Sequence, residues 1–126
     1  ALGRRLEQNN EPIIALTGDG GLQFCLAELA TAKDWALPII FIVWNNQGYS
    51  EIESSMLAVG ITPIGVSPKP PSIDALAQAY GINHARLTSF TALADLLQQA
   101  ADNQTPMLLE INEALMMDQI EPTITF

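Results

Sequence analysis

The chain has 126 residues, a net charge of −9, eight prolines, one cysteine and a hydrophobic fraction of 48%. That length fits one domain around one buried core, and the apolar content, with prolines at segment edges, excludes a disordered chain and favours an α/β fold. The acidity excludes nucleic acid and anionic membranes as partners, since both require a basic surface.

The chain opens with Ala1–Asn10, helical in composition but without a cap, which reads as the tail of a helix begun elsewhere in a longer polypeptide. After Pro12 the unbroken run Ile13-Ile14-Ala15-Leu16 predicts an inner parallel strand covered on both faces. It ends in Thr17-Gly18-Asp19-Gly20-Gly21. A helix is predicted over about 22–36, with Leu22, Cys25, Leu26, Leu29, Ala32 and Ala36 forming one core-facing stripe. On that stripe Cys25 reads as a small buried hydrophobe. A second apolar run, Pro38 to Trp44, ends in Asn45-Asn46-Gln47-Gly48-Tyr49.

Run, helix and run make a βαβ unit, whose strands open at their carboxyl ends onto the crevice where ligands bind. Asp19 and Asn46 are therefore expected side by side at one sheet edge. A carboxylate and an amide oxygen are hard donors suited to Mg²⁺ or Ca²⁺, and Mg²⁺ completes its shell with phosphate oxygens and water. The glycines after Asp19 let a phosphate approach backbone N–H groups at a helix start. These residues alone predict a metal-bridged diphosphate site.

Beyond Asn46 the chain is expected to turn at Gly48 and form a helix to about Leu57, followed by a proline-rich surface connection from Val59 to Pro71. Ser72 to Gly81 reads as a short helix with Ser72 as N-cap and Gly81 as stop. Ile82–Leu87 reads as a strand, Thr88–Ala101 as an amphipathic helix and Met107–Asn112 as the last strand. His84, the single histidine, reads as structural or partly exposed. The tail from Glu113 to Phe126, with Met116, Met117, Ile120, Ile124 and Phe126, shows no clear period. The alternation predicts about four parallel strands with helices on both faces, a three-layer α/β fold. Cys25 has no second cysteine to pair with, and no run reads as a signal peptide or membrane span, which predicts a reducing, cytoplasmic setting.

The run Gly18-Asp19-Gly20-Gly21, followed one helix later by Asn45-Asn46, resembles the GDG…NN signature of thiamine diphosphate (ThDP) enzymes. Glu28-Leu29-Ala30-Thr31-Ala32, Leu37-Pro38 and Asn46-Gln47-Gly48-Tyr49 extend the likeness to the C-terminal, diphosphate-binding domain of the pyruvate decarboxylase and acetolactate synthase group. The resemblance implies ThDP and Mg²⁺ as cofactors, with the metal on Asp19, Asn46 and the main-chain carbonyl of Gly48. It further implies a cofactor lining of Gly18, Asp19, Gly20, Gly21, Asn46, Gly48, Tyr49 and Ile52. It implies a small 2-oxo acid substrate, N-terminal domains outside this chain and a second subunit as partners, and no turnover by the chain alone. In the decarboxylase branch a glutamate joins the chemistry a few residues after the asparagines; here Ile52 takes its place, as an apolar wall, between Glu51 and Glu53.

Two other phosphate-handling readings fail on the residues. The Gly-Asp-Gly turn of haloacid dehalogenase-type phosphatases is followed by an Asn-Asp pair, where this chain has Leu22-Gln23. A dinucleotide fingerprint needs G-x-G-x-x-G, which Gly18, Gly20 and Gly21 do not fit. A non-catalytic α/β interaction module that retains the motif stays open as the alternative.

Overall fold

Three apolar runs and the short segment Asn83–Arg86 make one sheet. Its strands are β1 (Ile13–Gly18), β2 (Ile39–Asn45), β3 (Asn83–Arg86) and β4 (Met107–Asn112). In the computed structural model, which describes residues 1–7 and 12–119, all strand pairs are parallel and the order is β1-β2-β4-β3. The central strands β2 and β4 are buried along almost their whole length, as uninterrupted apolar runs require.

Helices cover both faces. On one, α2 (Asp19–Gln23), α3 (Ala27–Asp34) and α5 (Ile73–Tyr80) bury Leu22, Leu29, Ala32, Ile73 and Ala77 against Ile39, Phe41, Val43 and Leu108. Leu2 of α1 (Leu2–Glu7) packs at the rim of the same cluster. On the other, α6 (Leu93–Asp102) and α7 (Glu113–Met116) bury Ala100 and Met116, with Leu93 and Leu97, against Ile40, Ile42, Leu109 and Ile111. The predicted three-layer architecture is observed. Ser72 caps α5 by accepting from the Ala75 N–H at 3.3 Å, and Gly81 ends it in the left-handed conformation, both as the sequence indicates.

Three expectations change. β1 stands at an edge of the sheet rather than inside it, and on the face away from α2 its Ile14 and Leu16 are 48% and 72% exposed. The helix expected over 22–36 begins at Asp19 and breaks after Gln23. The Phe24 and Cys25 N–H groups donate three residues back, to Gly21 and Leu22, and those of Glu28 and Leu29 to Cys25 and Leu26. These tighter turns advance the chain by more than the 100° per residue of an α-helix. Cys25 stays on the side of Leu22 and Leu29, where a three-residue turn keeps it, but it faces an open groove bordered by Ala1, Leu16 and Thr17 and is exposed, against the buried reading. Ala36, expected on the stripe, lies past the helix end. Of the terminal segments, Asn9 and Asn10, and the tail residues Ile120, Ile124 and Phe126, fall outside the described residues.

The helix after the asparagines, α4 (Ser50–Ala58), has no buried residue, and the connection from Val59 onward returns to the domain through buried Val66. No helix among the described residues is long and apolar enough to cross a membrane.

Helix α3 ends in a Schellman motif. The Leu37 N–H donates to Ala32 O at 2.8 Å and the Ala36 N–H to Lys33 O at 3.0 Å, which forces Ala36 to a φ of 46°. A left-handed alanine carries strain of roughly 1–2 kcal/mol that glycine lacks, part of which glycine returns as unfolded-state entropy. Ala36→Gly is therefore expected to stabilise the protein by about 0.5–1 kcal/mol, read as a higher urea midpoint at unchanged slope.

Candidate functional site

Register places the site. Gly18 pairs with Trp44, so Asp19 begins α2 level with Asn45, and Asn46 follows one residue further along the same edge. Gly18 is extended (φ −78°, ψ 164°), which carries β1 directly into the first turn of α2. The Asp19 side chain is buried, 2% exposed, and its Oδ2 has no hydrogen-bond partner in the protein. A buried carboxylate oxygen without a partner is costly and calls for an explanation.

The loop after β2 brings the other donors. The Asn45 Oδ1 accepts from the Gln47 N–H at 3.1 Å, an Asx turn that holds Gln47 left-handed at a φ of 61°. One end of the Asn46 amide then stands 2.9 Å from the Gly48 carbonyl oxygen and 3.2 Å from Asp19 Oδ1; the other end stands 3.0 Å from Ser50 Oγ. Seated with its nitrogen toward Asp19 and Gly48, the amide donates to both. Seated the other way, three oxygens converge with no proton among them, an arrangement that only a cation stabilises. Mg²⁺ holds oxygens at 2.0–2.1 Å in octahedral geometry, which sets neighbouring ligands about 2.9 Å apart. Asp19, Asn46 and the Gly48 carbonyl could therefore share one such ion. Among the described residues no three His, Cys, Asp or Glu side chains gather into a metal site.

Two glycines owe their identity to close approach. A Cβ on Gly20 would overlap Tyr49 Cε1 and stand 2.8 Å from Tyr49 Cδ1, so the ring of Tyr49 rests directly on the backbone of α2. A Cβ on Gly48 would meet the Val66 carbonyl oxygen at 3.1 Å, and that oxygen also accepts from the Tyr49 N–H at 2.9 Å, which ties the proline-rich connection to the loop. On Gly21 a Cβ would stand 2.9 Å from Thr17 Oγ1.

The structure thus brings Gly18, Asp19, Gly20, Gly21, Asn46, Gly48 and Tyr49 to one edge. Ile52 is half-exposed and lines a shallow groove with Glu51, Ser55, Met56, Val59 and Ile61, in which none of the three oxygen donors takes part. Glu53 turns instead toward a recess with Pro63, Val66 and Pro68. His84 is partly buried, its Nδ1 3.5 Å from Asp74 Oδ1 and its Nε2, which makes no hydrogen bond, 3.5 Å from Glu110 Oε2.

Sequence reasoning passed over Glu110. Inside the otherwise apolar β4 it is 2% exposed; its Oε1 accepts from Asn45 Nδ2 at 2.7 Å, and its Oε2 accepts from Arg86 Nε and Nη2, both at 2.9 Å. The available signal was a lone acidic residue in the run Met107-Leu108-Leu109-Glu110-Ile111. Asn45, Arg86 and Glu110 open onto a cleft of about 560 Å³ at the carboxyl ends of β2, β3 and β4, with Gln47, Lys69 and Asn112 on its walls.

Comparison with known proteins gives a consistent result. Residues 1–111 match the family described as thiamine pyrophosphate enzyme, C-terminal TPP binding domain. The chain is 30% identical over 111 residues to acetolactate synthase of Bacillus subtilis and 31% identical over 113 residues to the acetolactate synthase large subunit of Lactococcus lactis, in each case over 88% of this chain and 20% of the relative. It is 37% identical over 81 residues, 64% of its length, to a probable 2-ketoarginine decarboxylase of Pseudomonas aeruginosa, of which it covers 14%. The chain therefore spans about a fifth or less of the curated relatives it matches. In fold it superposes on benzoylformate decarboxylase from Polynucleobacter necessarius with a TM-score of 0.78 at 21% identity, covering 89% of this chain and 21% of that one. A 4-hydroxybenzoylformate decarboxylase from Rhodococcus jostii gives a TM-score of 0.77 at 25% identity over the same shares.

The contact between Gly20 and Tyr49 yields a test of the loop packing. Gly20→Ala is expected to destabilise the fold by about 1–3 kcal/mol through overpacking. Tyr49→Ala in the same chain removes the obstructing ring, so urea titration of the two single variants and the double should show strong non-additivity.

Proposed function

The chain belongs to the thiamine pyrophosphate enzymes as their C-terminal TPP-binding domain, and on that premise we propose that it anchors the cofactor's diphosphate through one Mg²⁺ held by Asp19, Asn46 and the Gly48 carbonyl. The observation that carries this reading is the meeting of Asp19 Oδ1, the Asn46 amide and the Gly48 carbonyl within 3.2 Å, beside an Asp19 Oδ2 that has no protein partner. A cation accounts for both at once.

Each residue then has a limited task. Asp19 supplies the negative charge that keeps the ion in a chain whose net charge already favours cations over anions. Asn46 and Gly48 add neutral oxygens and set the geometry. Gly18 and Gly21 keep the start of α2 free of side chains, so that a diphosphate can lie against backbone N–H groups, while Gly20 makes room for the Tyr49 ring. Tyr49 closes the loop over Gly20, and Ile52, on the exposed helix that follows, offers an apolar wall toward the reacting end. ThDP, when bound, supplies the electron sink for cleavage beside the carbonyl of a 2-oxo acid, chemistry for which no side chain is equipped.

The whole enzyme, on this reading, is a 2-oxo acid decarboxylase or an acetolactate synthase-like carboligase that works in the cytoplasm as an oligomer. Its other domains, one of them from a second subunit, hold the aminopyrimidine end of the cofactor and the substrate. This chain contributes the anchor.

Two measurements test the proposal. In the full-length polypeptide, Asp19→Ala is expected to abolish Mg²⁺-dependent retention of ThDP after desalting; retention equal to the parent would overturn the assignment and favour a non-catalytic interaction module. With the 126-residue chain alone, calorimetric titration with ThDP and Mg²⁺ is expected to show weak binding and no turnover of 2-oxo acids, whereas submicromolar affinity would contradict the dependence on other domains.

A further inference from the structure

We infer that Glu110 is a positioning residue of the metal loop: through Asn45 it holds the turn that presents Asn46 and Gly48, two of the three proposed ligands. The inference rests on the Mg²⁺ reading above.

The starting observation is a misfit. β4 is a central strand whose residues from Met107 to Ile111 are otherwise apolar, yet position 110 holds a carboxylate with a side chain 3% exposed. Burying a carboxylate is unfavourable unless its oxygens are matched by donors. Both are matched. Arg86 donates from Nε and Nη2 to Oε2, and Asn45 Nδ2 donates to Oε1 at 2.7 Å. Glu110 is not present merely to neutralise Arg86, because the Arg86 side chain is 50% exposed and water would solvate it unaided. Arg86 serves Glu110, and Glu110 serves Asn45.

The Asn45 amide is thereby oriented, since only its nitrogen can face the carboxylate. Its oxygen is left for the Gln47 N–H, at 3.1 Å. That bond steadies Gln47 in the left-handed conformation, which a non-glycine residue adopts reluctantly. Gln47 stands between Asn46 and Gly48 in the chain, so its backbone angles set the spacing of the two oxygens that close to 2.9 Å. Glu110 touches neither metal nor cofactor and acts through Asn45.

The polarity of this relay can be inverted, which separates positioning from space filling. Glu110→Gln can keep its oxygen on Asn45 only by turning its nitrogen toward Arg86, which is exposed enough to move into water, so this variant is the milder of the two single ones. Asn45→Asp sets two carboxylates against each other. In the double variant N45D/E110Q the nitrogen of the introduced glutamine donates to the new carboxylate and its oxygen accepts from Arg86, while the introduced aspartate still accepts from the Gln47 N–H, so the whole relay is restored. The experiment measures Mn²⁺ affinity of the full-length enzyme in the presence of ThDP by electron paramagnetic resonance, with thermal unfolding recorded for every variant. Asn45→Asp is expected to bind Mn²⁺ about 10- to 100-fold more weakly, the usual effect of removing an outer partner of a metal ligand, Glu110→Gln to lose less, and the double variant to recover most of the Asn45→Asp loss. Parental affinity in Asn45→Asp, or a double variant as weak as Asn45→Asp, would overturn the inference. If a single variant does not fold, the affinity of the double decides by the same criterion. Asp19→Ala serves as control: undiminished Mn²⁺ binding there defeats the metal reading itself, whereas loss in Asp19→Ala with none in N45D or E110Q defeats only the role of Glu110.

Discussion

The register of β1 against β2 is the constraint on which the site depends. With Gly18 opposite Trp44, Ile13 and Ala15 meet Ile39 and Phe41 on the covered face and the first polar residues emerge together at the carboxyl edge. A slip of one residue would carry Asp19 about 3.3 Å along the strand and turn every side chain of β1 to the opposite face. The buried side chains of Ile13, Ile39, Phe41 and Val43 resist that slip, so the packing of the sheet and the geometry of the oxygen cluster are one property of the fold.

Much of this was legible in the sequence because it is local. Apolar runs ending abruptly in Gly-Asp-Gly-Gly and Asn-Asn-Gln-Gly-Tyr announce strands that run into turns, and the connecting helix dictates parallel pairing. The same holds for Ser72 and Gly81, whose capping roles need only the residues beside them. Asp19 and Asn46 could be expected to share an edge because a right-handed βαβ unit leaves their strands adjacent.

What escaped depends on contacts between distant segments. Cys25 lies on the predicted helix stripe, and its exposure comes from the open groove over that part of the stripe, which no local pattern reveals. Nothing in the run Ile13–Leu16 distinguishes an edge strand from an inner one, since the hydropathy of a strand does not say how many neighbours it has. Glu110 lies far along the chain from Asn45, and its meaning emerges once β4 is known to insert between β2 and β3. The fit of Gly20 to Tyr49 is likewise a property of two turns facing each other and is invisible in either turn alone.

Helix α4 leads back to how such a fold can diversify. Its nine residues bury nothing in the domain, so almost no tertiary energy is at stake when they are exchanged. Past Ser50, whose Oγ stands 3.0 Å from the Asn46 amide, the segment can change in sequence while the oxygen cluster before it and the sheet beneath it stay as they are. The same anchor can in this way sit beside many different neighbours, and novelty accumulates where the core exerts no veto.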